Sequence, residues 1–414
     1  MHASYALPAV NFFMADVGGG LGAFLSTWLA EVVKLNPAQI GWVVGVSSLV
    51  GALCAGPAGA LVDRVARPRL LLAVACCMIL VGTMALLPAR SFWYVLAVQA
   101  FVAAGGALGA PSISGLTLAV VGKAGFPRQQ GTNEAANHTG NVAAAALIAG
   151  LALLMGPMAA FVVLAVMATA TLATLYAMDG AAVDADRMRG RAKREKGEKR
   201  GATRSVFTNR RMLVLLAVIG LFQLGNSAML PLLSQRIVAE GAGNATSWTS
   251  AAVIVAQLTM VPVALLVGRN ADRVGRRWLL MAACAVVVAR CAVAVFAAGN
   301  YWLIPIQVLD GVCAAMFSVA APVAVADLTY GTGRTQTAMG AMGMLQAGGA
   351  ALASVVWGYT ANKFGFPATF GAMALFPVAA IALLFTIELR DEQPGAAQAG
   401  ASAGGNAAAT SAAV

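Results

Sequence analysis

The sequence predicts an all-α membrane protein with twelve transmembrane helices in two pseudo-symmetric six-helix bundles. Three observations support this fold class: an apolar composition, twelve long apolar segments, and a loop motif that recurs after about half the chain. Of the 414 residues, 60% are hydrophobic and 10% are charged, whereas a water-soluble protein carries about 25% charged residues. Most of the surface must therefore face lipid.

Twelve segments are apolar and long enough to cross a bilayer, which takes about 20 residues. In the first half they cover 7–30, 38–61, 70–88, 92–118, 131–154 and 157–178, and in the second half 211–234, 247–267, 278–297, 302–327, 336–359 and 367–388. They divide the chain into an N-terminal bundle (1–178), a charged cytoplasmic linker (179–210), a C-terminal bundle (211–390) and a disordered cytoplasmic tail (391–414).

The basic residues lie almost entirely on one side of the predicted membrane. With both termini inside, the inner loops and tail hold 22 of the 27 Lys and Arg residues, and the outer loops hold four. Because basic loops stay on the cytoplasmic side, we expect a multi-pass protein of the bacterial inner membrane with both termini in the cytoplasm. The net charge of +11 therefore does not indicate a nucleic-acid partner.

Several functional classes are not expected. The six cysteines lie in apolar segments without a CxxC pair, which is typical of free, buried thiols and predicts no metal site and no cofactor. There is no GxxxxGK[ST] loop, so ATP is not expected to drive the protein directly. No catalytic constellation is present, so we do not expect an enzyme.

A loop motif follows the second predicted helix of each half. The first copy reads Gly59-Ala-Leu-Val-Asp63-Arg64-Val-Ala66-Arg67-Pro68-Arg69, and the second reads Gly268-Arg-Asn-Ala-Asp272-Arg273-Val-Gly275-Arg276-Arg277. The copies are 209 positions apart, about half the chain. Matching Gly, Asp and Arg positions at this offset indicate an internal repeat rather than two unrelated basic loops.

The motif resembles the signature loop of the major facilitator superfamily, Gly-x-Leu-x-Asp-Arg-x-Gly-Arg-Arg. The second copy departs from it at Asn270, and the first at Ala66 and Pro68. The resemblance implies a secondary transporter, by default a monomer, that works by alternating access. It implies a cytoplasmic gate that holds the inner side closed in the outward-facing state. The expected gate residues are Gly59, Asp63, Arg64, Arg67, Gly268, Asp272, Arg273, Gly275, Arg276 and Arg277, together with Asp327 and Arg334 at the next inner turn.

These gate residues have suitable chemistry. Glycine allows close approach of helices, and an aspartate can accept hydrogen bonds from the N-terminus of a neighbouring helix. Arginines can bind carboxylates and the phosphates of membrane lipids. The alternative is that the loops only anchor the topology, which would not require the aspartates.

Ionisable residues at membrane depth are costly and are therefore functional candidates. Asp16 lies near the middle of the first predicted helix, and aligning Phe12 with Phe222 places it opposite Asn226. A carboxylate removed from water holds a proton more tightly, so Asp16 is the first candidate for proton coupling. A structural hydrogen bond is the alternative.

Glu134, Asn137, His138 and Asn141 form a polar stripe on one face of the fifth predicted helix, towards its cytoplasmic end. We expect the stripe to line a water-filled path, with His138 either relaying protons or hydrogen-bonding between helices. Arg290 and Asp310 flank an outer turn at matching depth, which predicts an ion pair or, alternatively, an anion site or gate. The remaining cavity candidates are the amides Asn11, Gln99, Gln223, Asn226 and Gln307.

The sequence thus predicts a proton-coupled secondary active transporter of a small organic solute, with membrane lipids, protons and the solute as its partners. The acidic cavity residues favour a cationic or neutral solute over an anion. Efflux and uptake both remain open. The alternative function is a non-transporting membrane sensor with a transporter fold, whose partner would dock on 179–210.

Overall fold

The structure is a computed structural model that describes residues 3–18, 21, 23–180, 183–191, 208–239, 245–297 and 299–389. These residues form helices and no strands. In the first half the helices are α1 (Ala3–Val17), α2 (Ala23–Glu31), α3 (Pro37–Val65), α4 (Pro68–Ala85), α5 (Phe92–Met155), α6 (Met158–Ala177) and α7 (Ala185–Met188). In the second half they are α8 (Arg210–Asn226), α9 (Met229–Ala239), α10 (Ala245–Val274), α11 (Arg276–Phe296), α12 (Leu303–Thr329), α13 (Thr335–Phe364), α14 (Phe366–Met373) and α15 (Leu375–Phe385).

The helices account for the predicted number of spans. Within the described residues, ten spans are long and apolar enough to cross a membrane. One of them, α5, has 64 residues and contains two spans, because Gly122 has a non-helical backbone (φ 67°, ψ −179°). A straight helix of that length would be about 96 Å long, three times the bilayer core. The pair α1 and α2 supplies the remaining span, and the predicted fold class is confirmed.

The first span of each half consists of two helical segments rather than the one helix that the sequence predicted. Helix α1 ends at Val17 and α8 ends at Asn226, positions that nearly coincide when Phe12 is aligned with Phe222. In the first half Gly18, a turn residue, follows Val17, and glycine has a low helix propensity. In transporters, interrupted helices of this kind often lie beside the binding site.

Each half has its own hydrophobic core. One cluster of buried residues lies within 6–178, and the other lies mostly within 212–387. The halves meet along α3 with α13 and along α5 with α10, at the end of the molecule that carries 62–69, 122–130, 268–277 and 330–334, here called the basic face. The predicted tail and most of the predicted linker lie outside the described residues.

Candidate functional site

Two pairs of glycines bring the halves into contact at the basic face. A Cβ atom on Gly59 would lie 3.1 Å from Cα of Gly340, and one on Gly131 would lie 2.7 Å from Cα of Gly268. Gly340 follows Gly131 by 209 positions, the offset between Gly59 and Gly268. The two crossings are therefore related by the internal repeat. Gly131 and Gly340 were not among the predicted gate residues, although their offset of 209 positions is visible in the sequence.

The carboxylate of Asp63 caps helix α13 across the interface between the halves. Its Oδ1 accepts a hydrogen bond from the backbone N–H of Gln336 (3.1 Å), and its Oδ2 accepts from the backbone N–H (2.6 Å) and the hydroxyl (2.7 Å) of Thr337. These amides lie in the first turn of α13, where N–H groups lack partners within the helix. Asp63 is 8% exposed, so water competes little for these charge-assisted bonds.

Asp272, the equivalent residue of the second half, makes different contacts. Its Oδ1 lies 2.6 Å from Nη2 of Arg276 in its own half, and its side chain is 61% exposed. Nε of Arg276 lies 2.9 Å from Oδ2 of Asp327, whose Oδ1 is 3.7 Å from Nζ of Lys123 in the first half. At this crossing Lys123 and Asp327 form a charged contact between the halves.

This asymmetry has a physical cause. The α5 position that corresponds to Gln336 is Pro127, which has no backbone N–H to donate. Pro127 also lies inside α5 rather than at the start of a helix. Asp272 therefore has no equivalent helix N-terminus to cap.

The other predicted gate residues lie at the same face. Gly275 starts α11 with a positive φ of 85°, and the guanidinium of Arg277 lies over the rings of Trp278 (5.8 Å) and Phe385 (5.3 Å) in its own half. The exposed side chains of this group are Arg64, Arg67, Arg273 and Arg334.

His138, in the predicted polar stripe, connects α5 to the second half. Its Nδ1 is 2.7 Å from Oε1 of Gln257 in α10. Within α5, Gln130 donates a hydrogen bond to Oε1 of Glu134 (2.9 Å). The sequence placed the start of this helix at 131, but the helical arm begins just after Gly122. Glu134 therefore lies about 18 Å along the arm rather than at its start.

The Glu134–His138 pair can accept one proton. Because Oε1 of Gln257 is an acceptor, Nδ1 of the neutral imidazole carries the hydrogen, and Nε2 presents a lone pair. Nε2 lies 3.8 Å from Oε2 of Glu134, and in the described part of the chain it has no hydrogen-bond partner. Nε2 of His138 and Oε2 of Glu134 are thus two hydrogen-bond acceptors that face each other. When either atom binds a proton, it becomes a donor to the other.

Arg290 joins three other predicted site residues in a largely buried cluster of the second half. The side chain is 1% exposed, and its Nη1 lies 2.7 Å from Oδ1 of Asp310 and 2.7 Å from Oδ1 of Asn226. Its Nη2 donates to Oε1 of Gln307 (3.1 Å). Asp310 neutralises the guanidinium, which makes Arg290 a poor anion site. The bond to Asn226 uses the last residue of α8, where the first span of this half is interrupted.

The remaining candidates are spread through both halves. Asn11 donates to the carbonyl of Leu7 in its own helix (2.8 Å), and Asn141 donates to Asn137 (3.4 Å). Gln99 is buried in the first half, and Gln223 packs against Gly349 of α13. Asp16 is the penultimate residue of α1, but its side chain lies outside the described residues. Among those described, no group of three or more metal-ligating side chains comes together.

Comparisons with known proteins agree with this architecture. The family model described as Major Facilitator Superfamily matches residues 9–256 and 215–412. Two uncharacterized MFS-type transporters of Mycobacterium tuberculosis, MT2531 (strain CDC 1551 / Oshkosh) and Rv2456c (strain H37Rv), are each 33% identical over 374 residues, 89% of this chain and 90% of the relative.

Three solved structures share the fold. FucP, in its outward conformation, has a TM-score of 0.73 at 13% identity and covers 92% of this chain and 98% of its own. The proton:xylose symporter XylE has a TM-score of 0.74 at 12% identity, with coverages of 93% and 95%. The human organic anion transporter MFSD10 has a TM-score of 0.65 at 18% identity, with coverages of 92% and 96%. At these identities the likeness shows the fold alone.

Proposed function

This chain belongs to the major facilitator superfamily, and from that premise we propose that it is a proton-coupled secondary transporter of a small organic solute. The basic face is the cytoplasmic face, in keeping with the distribution of Lys and Arg. The structure then corresponds to a state closed to the cytoplasm, and rocking of the halves would open it.

The observation that carries this proposal is the proton-accepting pair of Glu134 and His138 between the halves. Through Gln257 the pair is bonded to α10 of the second half. Separation of the halves at the basic face would break this bond and admit water to the carboxylate. The affinity of Glu134 for a proton would then differ between the two states, which is the requirement for coupling.

Glu134 is favoured over Asp310 as the coupling residue. Asp310 is bound to Arg290 within the second half, so rocking of the halves leaves its partner in place. Asp16, the first candidate from sequence, remains a prediction. The acidic character of the pair favours a cationic or neutral solute, and the direction of transport follows from whether protonation of Glu134 promotes or opposes solute binding.

The test begins with a thermal-shift screen of the purified protein in detergent, at two pH values. The probes are lipophilic cations, sugars, amino acids and organic anions, and the proteins are wild type, Glu134→Gln and Asp16→Asn. We expect one class of compound to stabilise the wild type in a pH-dependent manner, and Glu134→Gln to remove that dependence. If only Asp16→Asn removes it, the coupling residue is Asp16.

Proteoliposomes then show whether the compound is transported. We expect the stabilising compound to accumulate against its gradient when a proton gradient is imposed, and not after a protonophore is added. Binding without any flux would contradict transport and would support a membrane sensor that keeps the transporter fold.

A further inference from the structure

A short segment of the connection between the halves, residues 183–191, is docked into the basic face. It is called the wedge here. Its central helix α7 begins after Asp184, whose Oδ1 accepts the backbone N–H groups of Asp186 (2.9 Å) and Arg187 (3.1 Å). The backbone N–H of Asp184 itself donates to the carbonyl of Ala119 in α5 (3.2 Å). The sequence predicted a charged cytoplasmic linker here, and in the structure the wedge is bonded to both halves.

The wedge is anchored in the first half by one apolar and one charged side chain. Met188 is fully buried in a cluster with Ala58 and Val62 of α3 and other residues of α4 and α5. Arg189 donates from Nε to the carbonyl of Asp63 (2.6 Å) and from Nη2 to the carbonyl of Arg64 (3.1 Å). The wedge therefore binds the C-terminal end of α3, the helix that carries the capping residue Asp63.

Three consecutive carbonyls of the wedge accept hydrogen bonds from the second half. Met188 accepts from Nε2 of Gln336 (3.1 Å), and Arg189 accepts from the hydroxyl of Thr335 (3.1 Å). Gly190 accepts from the backbone N–H of Gly331 (2.5 Å). Thr335 and Gln336 lie in the first turn of α13, to which Asp63 binds, and Gly331 lies just before that turn. The same turn is thus held by the Asp63 carboxylate and by the wedge.

The local sequence is adapted to this docking. Gly190 has a φ of +68°, and a Cβ atom there would collide with the hydroxyl of Thr335. At Gly115 of α5, a Cβ atom would lie 3.2 Å from Cγ of Met188 and 3.4 Å from Cδ of Gln336. A side chain at Gly190 would therefore be strained, and one at Gly115 would require Met188 to shift.

We propose that the wedge is a positioning element of the transport cycle: its docking holds the basic face closed, and it must leave α13 before that face opens. Separation of the halves pulls the first turn of α13 away from α3. Because Met188 and Arg189 hold the wedge on the first half, the wedge bonds to α13 must then break. The wedge adds to the closed state interactions that neither repeated loop supplies. This inference rests on the proposed alternating access, but its test measures a distance and not a flux.

The test places spin labels at Leu70 and Trp278, which are 51% and 57% exposed and lie at the starts of α4 and α11, one in each half. Cys54 and Cys77 are replaced first, because the other four cysteines are buried and react slowly. Pulsed electron paramagnetic resonance in detergent then reports the fraction of molecules with a separated basic face.

We expect Arg189→Ala to remove both bonds to α3 and raise the ratio of open to closed molecules by roughly tenfold. Thr335→Val should act in the same direction, and Thr335→Ser, which keeps the hydroxyl, should restore the wild-type distribution. The matched control is Arg187→Ala, since that exposed side chain is paired with Asp184 inside the wedge.

The result that overturns the proposal is a distance distribution in Arg189→Ala and Thr335→Val identical to that of the wild type. A distribution changed equally by Arg187→Ala would also overturn it, because the effect would not depend on the docked contacts. Should a variant fail to fold, as judged by gel filtration in detergent, Gly190→Ala replaces it. Solute flux tests the proposed transport function separately. A negative result for the wedge therefore does not imply that the protein is not a transporter, and the reverse also holds.

Discussion

The two repeated aspartates are equivalent in sequence but not in structure, and their substitution should therefore have unequal effects. Asp63→Asn exchanges one carboxylate oxygen for an NH₂ group that faces a backbone N–H, and it removes the negative charge at the start of α13. A hydrogen bond to a charged group contributes about 1.5–3 kcal/mol, and the helix dipole adds roughly 0.3–1 kcal/mol. We expect a loss of about 2–3 kcal/mol from the closed state, a change of roughly 30- to 150-fold in the ratio of open to closed molecules.

Asp272→Asn is the matched control. Asp272 is mostly exposed and is bonded to Arg276 within its own half, and an exposed ion pair contributes about 0–1 kcal/mol. The spin-label pair at Leu70 and Trp278 should therefore report a large shift for Asp63→Asn and a small one for Asp272→Asn. Equal shifts would refute the explanation of the asymmetry by Pro127.

Two further predictions concern packing and buried charge. Gly59→Ala would place a Cβ atom against the backbone of α13 and destabilise the closed state by about 1–3 kcal/mol. The control is Gly56→Ala on the same helix, whose Cβ atom would meet no atom within 4 Å and which should be neutral. The distance between the spin labels at Leu70 and Trp278 distinguishes the two variants. Arg290→Ala would remove the partner of Asp310, whose side chain is 17% exposed, and destabilise the fold by about 3–5 kcal/mol. Thermal unfolding should show that a double Arg290→Leu, Asp310→Leu variant is more stable than Arg290→Ala, and an equal or lower stability would contradict the buried ion pair.

The fold followed from the sequence because its signals are strong. Twelve apolar segments and the offset between the two loops determine the number of helices and the repeat. Gly131 and Gly340, the partners of Gly268 and Gly59, are separated by the same 209 positions. They lie outside the two repeated loops, so the loop motif alone did not indicate them. Interruption of α8 at Asn226 was harder to predict, because the amide there binds Arg290 from a helix some 64 residues away in the sequence.

Two features of the site depend on tertiary structure. Pro127 is visible in the sequence, but the sequence does not show that α5 continues through it. Because no helix begins at Pro127, Asp272 has no helix N-terminus to cap. The wedge lies in a segment whose charges indicate exposure, and only the packing of α3, α4 and α5 provides the space that buries Met188. In both cases long-range contacts, and not local composition, determine the structure.

The central claim is that a proton moves with the solute through the Glu134–His138 pair. The most direct measurement seals a pH-sensitive dye inside proteoliposomes and imposes a gradient of the compound found by the thermal-shift screen. We predict that the wild-type protein changes the pH inside the proteoliposomes. Glu134→Gln should still bind the compound but leave this pH unchanged. Solute flux without a pH change in the wild type, or an undiminished pH change in Glu134→Gln, would contradict it.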